Sequence, residues 1–317
     1  MLLFIVKRVL AVMPVVLGVS VICFLLVHIA PGDPLSAVLP LDASQQMASE
    51  MSALYGFDQP LVVQYGRWLL RALQGDLGVS IATGRPVLAE VGAAVVNSMI
   101  LASAATLIGF TLGCVFGFIG GYHRGTVFDR LSSIASVLGV SVPNYWLGMV
   151  LVIVFSALLG WLPPTGAGPD GGATWRPDFE HLKYLLMPAL TMAAIPMGIV
   201  ARTVRALVGD ILSQDFVMAL RAKGMRETAV LAHVIKNAAP TALAVMGIQF
   251  GYLLGGSILI ETVFAWPGSG LLLNTSIFQR DLPLLQGSIL VLALFFVFLN
   301  LIVDVVQTLI DPRIRRF

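Results

Sequence analysis

An all-α membrane domain with six transmembrane helices and both termini in the cytoplasm is the fold that the sequence predicts, and three observations predict it. First, 58% of the 317 residues are apolar and only 11% are charged, against roughly a quarter charged in an ordinary soluble domain. Second, residues 9 to 32, 91 to 122, 132 to 160, 184 to 201, 237 to 260 and 282 to 303 contain no Asp, Glu, Lys or Arg. Each run is near or above the roughly 18 apolar residues that cross about 30 Å of hydrocarbon. A bilayer offers no water to unpaired backbone groups, so such runs must be helices or strands of a closed barrel, and a barrel would alternate over segments of about 10 residues. Third, the basic residues segregate: in a six-span chain Arg67, Arg71, Arg85, Arg176, Lys183 and Arg280 fall on one side and the other 13 of the 19 Lys and Arg on the opposite side. The basic side is cytoplasmic. Acidic residues lean the other way, so the net charge of +2 hides an asymmetry that speaks to topology and not to nucleic-acid binding.

Span 1 is expected over about 9–30. Lys7 and Arg8 precede it as in a signal peptide, but the apolar run is too long for a typical signal core and no clear small-residue cleavage site follows, which predicts a retained span. Pro31-Gly32-Asp33-Pro34 turns the chain out of the membrane. An outer loop over 31–96 follows, in which Asp58-Gln59-Pro60 can start a surface helix with Leu61, Tyr65, Trp68, Leu69, Ala72 and Leu73 on one face and Arg67 and Arg71 on the other. Gly75-Asp76-Leu77-Gly78 ends it.

Span 2, about 97–121, carries Ala105, Gly109, Gly113, Gly117 and Gly121, a small residue at every fourth position; span 5, about 240–262, repeats the device with Gly247, Gly251 and Gly255. Such stripes let neighbouring helices approach closely. Tight packing accounts for them, and a further reading is that they let helices slide as a pathway opens. Span 3 (132–160) contains Pro143, and span 4 (184–206) contains Pro188 and Pro196, each of which removes a backbone donor and tends to kink a helix. Span 6 is expected over 284–309, before a short basic tail. The two cysteines, Cys23 and Cys114, both fall in spans and form no disulfide framework or metal-type pair.

The inner loop over 207–239 is unusual for a connector. Residues Asp215 to Glu227 and Val230 to Ala239 form two helix-forming stretches around Gly224. Gly224 can end the first helix with positive φ, and Pro240 is tolerated in the first turn of the next. The expected product is a short, basic, partly apolar helix pair, a docking knob presented to the cytoplasm.

Across essentially the whole chain these features resemble the membrane permeases of dipeptide, oligopeptide and nickel ABC importers, in the subtype beginning with a Pro-Gly-Asp-Pro turn. The resemblance rests on Pro31 to Pro34, Tyr55 to Leu61 with Gln64-Tyr65, Gly75 to Gly78, Arg221-Ala222-Lys223-Gly224, His233 with Asn237-Ala238, Phe264 to Gly268, Arg280-Asp281 and Asp311-Pro312-Arg313. It implies a type I ABC importer permease fold in a bacterial inner membrane. It also implies that the inner loop inserts into a groove on an ATPase subunit, with Asp215, Ala219, Arg221, Ala222, Lys223, Gly224 and Asn237 as coupling residues. One departure is visible: where the broad importer motif has Glu-Ala-Ala before the glycine, this chain has Met218-Ala219-Leu220. The implied partners are a second homologous permease, two ATPase subunits that carry ATP and Mg, and an extracytoplasmic solute-binding protein.

No G-x-x-x-x-G-K-[ST] phosphate loop is present, so the chain itself is not expected to bind nucleotide. Glu261 and Asp304 sit near span ends, where snorkelling or partner contacts can satisfy them. His28, His123, His181 and His233 lack metal-ligand spacing, and Ser156 and Thr191 have no acid-base partner nearby in sequence. Neither a metal site nor a catalytic centre is expected. An ion-coupled secondary transporter is the rival of another class, but such proteins often bury ionised groups in mid-span, and these span centres carry no formal charge. Short peptides are the first expectation for the substrate, and nickel or a metal chelate is the alternative.

Overall fold

The structure, a computed structural model, describes residues 13–25, 46, 59–169, 171–172, 175–255 and 257–310, apart from the side chains of 254 and 303–310. In chain order the helices are α1 (Met13–Leu25), α2 (Leu61–Leu73), α3 (Val87–Tyr122), α4 (Val127–Ser141), α5 (Asn144–Leu151, continued by a π-helical segment, Val152–Leu158), α6 (Phe179–Leu212), α7 (Asp215–Ala222), α8 (Glu227–Gly255), α9 (Ile258–Val263), α10 (Ser269–Phe278) and α11 (Leu282–Ile310). Extended pairing among the described residues is confined to one antiparallel bridge, Val79 to Pro86. The helices α3, α6, α8 and α11 are long and apolar enough to cross a membrane, and α4 with α5 passes the same test as a bent pair. The stretch expected as span 1 overlaps the apolar α1, whose 13 described residues are fewer than a crossing helix needs; its flanks, with Lys7, Arg8, His28 and the Pro31 to Pro34 turn, lie outside the described residues. So do residues 55–58, the side chain of Asp304 and the tail from Asp311.

The kink expected at Pro143 is present as a sharp bend, with α4 and α5 meeting at 102°. Pro143 disfavours helical backbone at the residue before it, and Val142 accordingly sits at φ −81°, ψ 124°. The helix expected to open at Pro240 instead runs through it: α8 extends from Glu227 to Gly255, with the shorter α9 after it. The outer loop 31–96 is helical from Val87 onward, as the first turns of α3. Pro188 and Pro196, by contrast, leave α6 continuous over 34 residues.

The chain divides into two compact units. The first contains Met1–Asn97 and Pro267–Leu301. Here α2 lies against α1: the Phe24 ring meets Tyr65 edge-on at 5.4 Å and Trp68 at 6.0 Å, while Ser20 Oγ and the Tyr65 hydroxyl are 2.8 Å apart. The apolar face read from the sequence is thus the packed one, although Leu61 and Leu73 at the helix ends are exposed. After α2, the Gly78 amide and the Arg71 guanidinium hold the Asp76 carboxyl below its usual range. Asp281, at the head of α11, ties down the turn over residues 79–86. Its carboxylate accepts from Ser80 Oγ (2.5 Å), the Ala82 amide (3.1 Å) and the Leu284 amide (3.1 Å), and it is 1% exposed. Below it Val87, Val91 and Leu284 form an apolar cluster. Asp281→Ala would orphan two buried donors and the partly buried Ala82 amide, and a loss of about 2–3 kcal/mol in unfolding free energy is expected. Thermal or denaturant unfolding of the purified protein tests this, and Ser80→Ala should cost less because it removes a single bond.

The second unit contains Ser98–Trp266 and Ile302–Phe317, and α6 is the most enclosed of its long helices. Gly109, Gly113, Gly117 and Gly121 of α3 all lie against α6; a Cβ on Gly117 would stand 2.5 Å from the Ala201 carbonyl oxygen and 2.8 Å from Val204 Cβ. A second seam joins α4 to α6, where a Cβ on Gly139 would meet the Ala194 oxygen at 2.6 Å and one on Gly198 the Ser136 oxygen at 2.5 Å. Lipid is as apolar as the side chains, so helices in a bilayer associate through close backbone packing of this kind and not through hydrophobic burial. Toward one end the core is Leu101, Ala105, Met187, Met192, Phe264 and Trp266; toward the other it is Val200, Val204, Val208, Val217, Val230 and Val234.

Two buried acids complete this unit. Glu261 is fully buried and is satisfied by contacts within the protein, not by snorkelling, accepting the Ser98 hydroxyl at 2.6 Å. Asp129, at the head of α4, accepts from Nε and Nη2 of Arg205 on α6 and from the Gly125 amide at 2.9 Å. Arg205→Leu strands the buried Asp129 carboxylate, whereas Asp129→Asn leaves the half-exposed guanidinium partly hydrated. The first is therefore expected to be the more destabilising, by about 1–3 kcal/mol. A double-mutant cycle on the purified protein measures the coupling, and equal costs for the two changes would contradict this account.

Candidate functional site: the helix pair around Gly224

Two residues separate the end of α6 from α7, and α7 is held by one side of its surface. Val217 is fully buried among Val230, Val234 and Ala238 of α8 and Val208 and Ile211 of α6, with Phe216 and Leu220 packed at its edge. The positions 216, 217 and 220 form the inward stripe that a 3.6-residue period requires. The remaining surface is open: Asp215, Met218, Ala219, Arg221, Ala222, Lys223 and Gly224 are all exposed.

The pair closes through a defined helix terminus. The Gly224 amide donates to Arg221 O (2.9 Å) and the Met225 amide to Leu220 O (3.3 Å), with Gly224 at φ +75°. This is the bonding of a Schellman cap, and Met225 and Leu220 both pack against the same apolar cluster. Arg221 then reaches over the cap to Glu227 at the start of α8, donating from Nη2 at 2.6 Å and from Nε at 3.3 Å, while the Tyr122 hydroxyl donates to the same carboxylate at 3.4 Å. This pair is exposed and modest in energy, but it fixes the angle between α7 and α8. The Glu227 carboxylate raises the Arg221 guanidinium further above its ordinary value.

The coupling residues read from the sequence are therefore gathered on one exposed patch, with the exception of Asn237. It lies fifteen residues into the chain beyond Ala222, exposed on α8, and its Nδ2 donates to His233 O at 2.8 Å. The glycine stripes differ from one another. Gly109, Gly113 and Gly117 are consumed by the α6 contact, whereas Gly247 and Gly251 are half-buried and Gly255 is exposed. Sequence reasoning missed the Arg221–Glu227 clasp, for which the only signal was a basic and an acidic residue on either side of a glycine. It missed Gly139 and Gly198 because each is a single small residue outside any stripe. Among the described residues no three His, Cys, Asp or Glu side chains converge as a metal site would require.

Residues 109–316 match the family described as binding-protein-dependent transport system inner membrane component, and residues 1–106 match its N-terminal membrane component. The chain belongs to this family of importer permeases. It is 40% identical over 316 residues, 99% of both chains, to the glutathione transport system permease protein GsiC of Escherichia coli O6:H1. It is 39% identical over the same coverage to GsiC of Escherichia coli K12 and 38% to that of Salmonella paratyphi A. The permease is thus an ABC importer subunit of the peptide, oligopeptide and nickel group, a multi-pass protein of the bacterial inner membrane and a transport component rather than an enzyme. Membership implies, in general terms, a permease partner, ATPase subunits and a binding protein.

Proposed function

We propose that the permease imports short peptides, glutathione-like tripeptides among them, as one half of a pathway completed by a second homologous permease. In this reading it has six spans with both termini cytoplasmic, α1 belonging to the first span. Two ATPase subunits carry ATP and Mg and receive the exposed face of α7, with Asp215, Ala219, Arg221, Ala222, Lys223, Gly224 and Asn237 as the contact set. The observation that carries the coupling role is the arrangement of α7, pinned to the core by Val217 and presenting every other candidate residue of that helix to solvent. A docking element must be rigid toward its own subunit and bare toward its partner, and α7 is both. Met218, 66% exposed, occupies the place of the broad motif's glutamate, so this chain meets its ATPase with an apolar side chain there. Peptide is favoured over nickel by the glutathione relatives.

Reconstitution tests the reading. Liposomes containing both permeases and both ATPases, supplied with the binding protein, are expected to accumulate glutathione only when ATP is enclosed with the ATPases. Accumulation driven by a proton or sodium gradient without ATP would contradict it, and uptake of nickel in place of peptide would move the substrate to the other branch.

A further inference from the structure

We infer that the cavity between α4 and α6 binds the phosphodiester headgroup of an anionic phospholipid, with Arg202 as its principal ligand and the acyl chains lying along the exposed apolar face of α4. The cavity holds about 250 Å³ and is lined by Ser133, Ser136, Ser141 and two valines of α4 and by Arg202 and Arg205 of α6. Arg205 is engaged with Asp129 through Nε and Nη2, which leaves the N–H groups of Nη1 for an incoming oxygen. Arg202 is exposed and forms no ion pair among the described residues, so it is the unbalanced charge of the cavity. Ser133 and Ser136 already donate to carbonyls of their own helix, at 2.9 and 2.7 Å. Ser141 and the two guanidinium groups are therefore the donors on offer, and a guanidinium holds phosphate oxygens through paired, charge-assisted hydrogen bonds.

Two features favour a lipid over a water-soluble anion. The first is depth. Arg202 directly follows the charge-free run 184–201 of α6, and Lys183 directly precedes it. The run corresponds to about 27 Å of helix, close to the roughly 30 Å of hydrocarbon in a bilayer, so the two cations bracket the apolar core and Arg202 stands at headgroup depth. The second is the neighbouring surface. Val127, Leu131, Ile134 and Leu138 of α4 are exposed and recur at the spacing of one helix face. At about 100° per residue that stripe adjoins the cavity face, and the exposed Val137 lies between the two and lines the cavity. A cationic recess beside an apolar stripe fits a molecule with an anionic head and hydrocarbon tails; inorganic phosphate would satisfy only the recess.

At about 30 Å³ for each water in the liquid, the volume matches roughly eight waters, room for a phosphate and its glycerol and too little for acyl chains, which stay outside on α4. Phosphatidylcholine brings a quaternary ammonium that the two arginines repel, so a lipid of net negative charge is preferred, as in other basic pockets between membrane helices. In the orientation proposed above the cavity opens at the inner leaflet; the leaflet rests on that reading, the site on the residues alone.

The test uses the complete transporter purified in a non-ionic detergent, titrated with dioleoylphosphatidylglycerol or dioleoylphosphatidylcholine, with bound lipid counted by native mass spectrometry. The wild type is expected to bind the phosphatidylglycerol about tenfold more tightly than the phosphatidylcholine. Arg202→Gln is expected to weaken phosphatidylglycerol about tenfold and to remove the preference, whereas Arg202→Lys, which keeps the charge without the fork, should weaken it only about threefold. Lys236→Gln removes an exposed cation of α8 outside the cavity and should bind within about twofold of wild type. Unchanged binding by Arg202→Gln would overturn the inference, as would an equal loss in Lys236→Gln, the mark of diffuse attraction. So would displacement of the lipid by millimolar inorganic phosphate, which would assign the cavity to a soluble anion, or dissociation of the Arg202→Gln complex, which would make Arg202 a contact of the second permease. No transported substrate enters the measurement, so the site and the peptide reading stand or fall separately.

Discussion

Gly117→Ile is expected to prevent the permease from assembling. A single methyl at this position would stand 2.5 Å from the carbonyl oxygen of Ala201 and 2.8 Å from Val204 Cβ, and the obstacle is the backbone of α6, which no rotamer change can clear. Overpacking of a tight core costs about 1–3 kcal/mol where side chains can shift; here two helices packed by their backbones must separate along the seam that runs from Gly109 to Gly121. The measurement is the fraction of detergent-extracted protein that elutes as a monodisperse species. Gly92→Ile on the same helix is the control, since a Cβ there meets nothing within 4 Å, and it should behave as wild type. A well-behaved Gly117→Ile protein would mean that α3 and α6 are not in backbone contact.

Gly224→Val is expected to leave the fold intact and to uncouple uptake from ATP. No atom lies within 4 Å of a Cβ added at Gly224, so nothing is displaced sterically. The cost is conformational: at φ +75° a β-branched residue is strained by about 1–3 kcal/mol, and the chain relieves it by opening the cap between α7 and α8. The docking patch then loses its angle. A fall of at least about tenfold in uptake per ATP hydrolysed is expected, the consequence of about 1.4 kcal/mol or more of lost docking geometry. Gly224→Asn, which tolerates the left-handed region, should retain most of the coupling. If the valine variant couples normally, α7 is not the element that the ATPase grips.

The long elements were legible because lipid imposes a length and excludes charge: the runs around residues 91, 184 and 282 became α3, α6 and α11. The short amphipathic elements were legible through periodicity, as α2 and α7 show. What periodicity cannot carry is the tertiary partner. Asp129 meets Arg205 across 76 residues, Ser98 meets Glu261 across 163 and Ser80 meets Asp281 across 201, and none of these pairs leaves a mark on its own segment. Prolines proved ambiguous for a physical reason. A proline costs a helix one hydrogen bond and some crowding wherever it lies, and whether the chain breaks depends on what encloses it. Pro143 adjoins exposed segments and breaks the chain, while Pro188 and Pro196 are buried in the middle of α6 and are tolerated. Pro240 is also tolerated inside a helix, with thirteen residues of α8 before it.

The continuity of α8 through Pro240 gives the docking patch mechanical reach. At 1.5 Å per residue its 29 residues make a strut of about 43 Å, longer than the roughly 30 Å of hydrocarbon it has to cross. Its first turn is clasped to α7 by Arg221 and Glu227, and its last turns carry Gln249 and Tyr252. A tilt of only about 10° about one end of a rod that long moves the other by about 8 Å, more than the diameter of a water molecule and comparable to the width of a peptide. In the coupling proposed above, a push of a few ångströms at α7 need not travel through a chain of rearranging side chains to reach the far end of α8; a stiff beam with little slack conveys it by geometry.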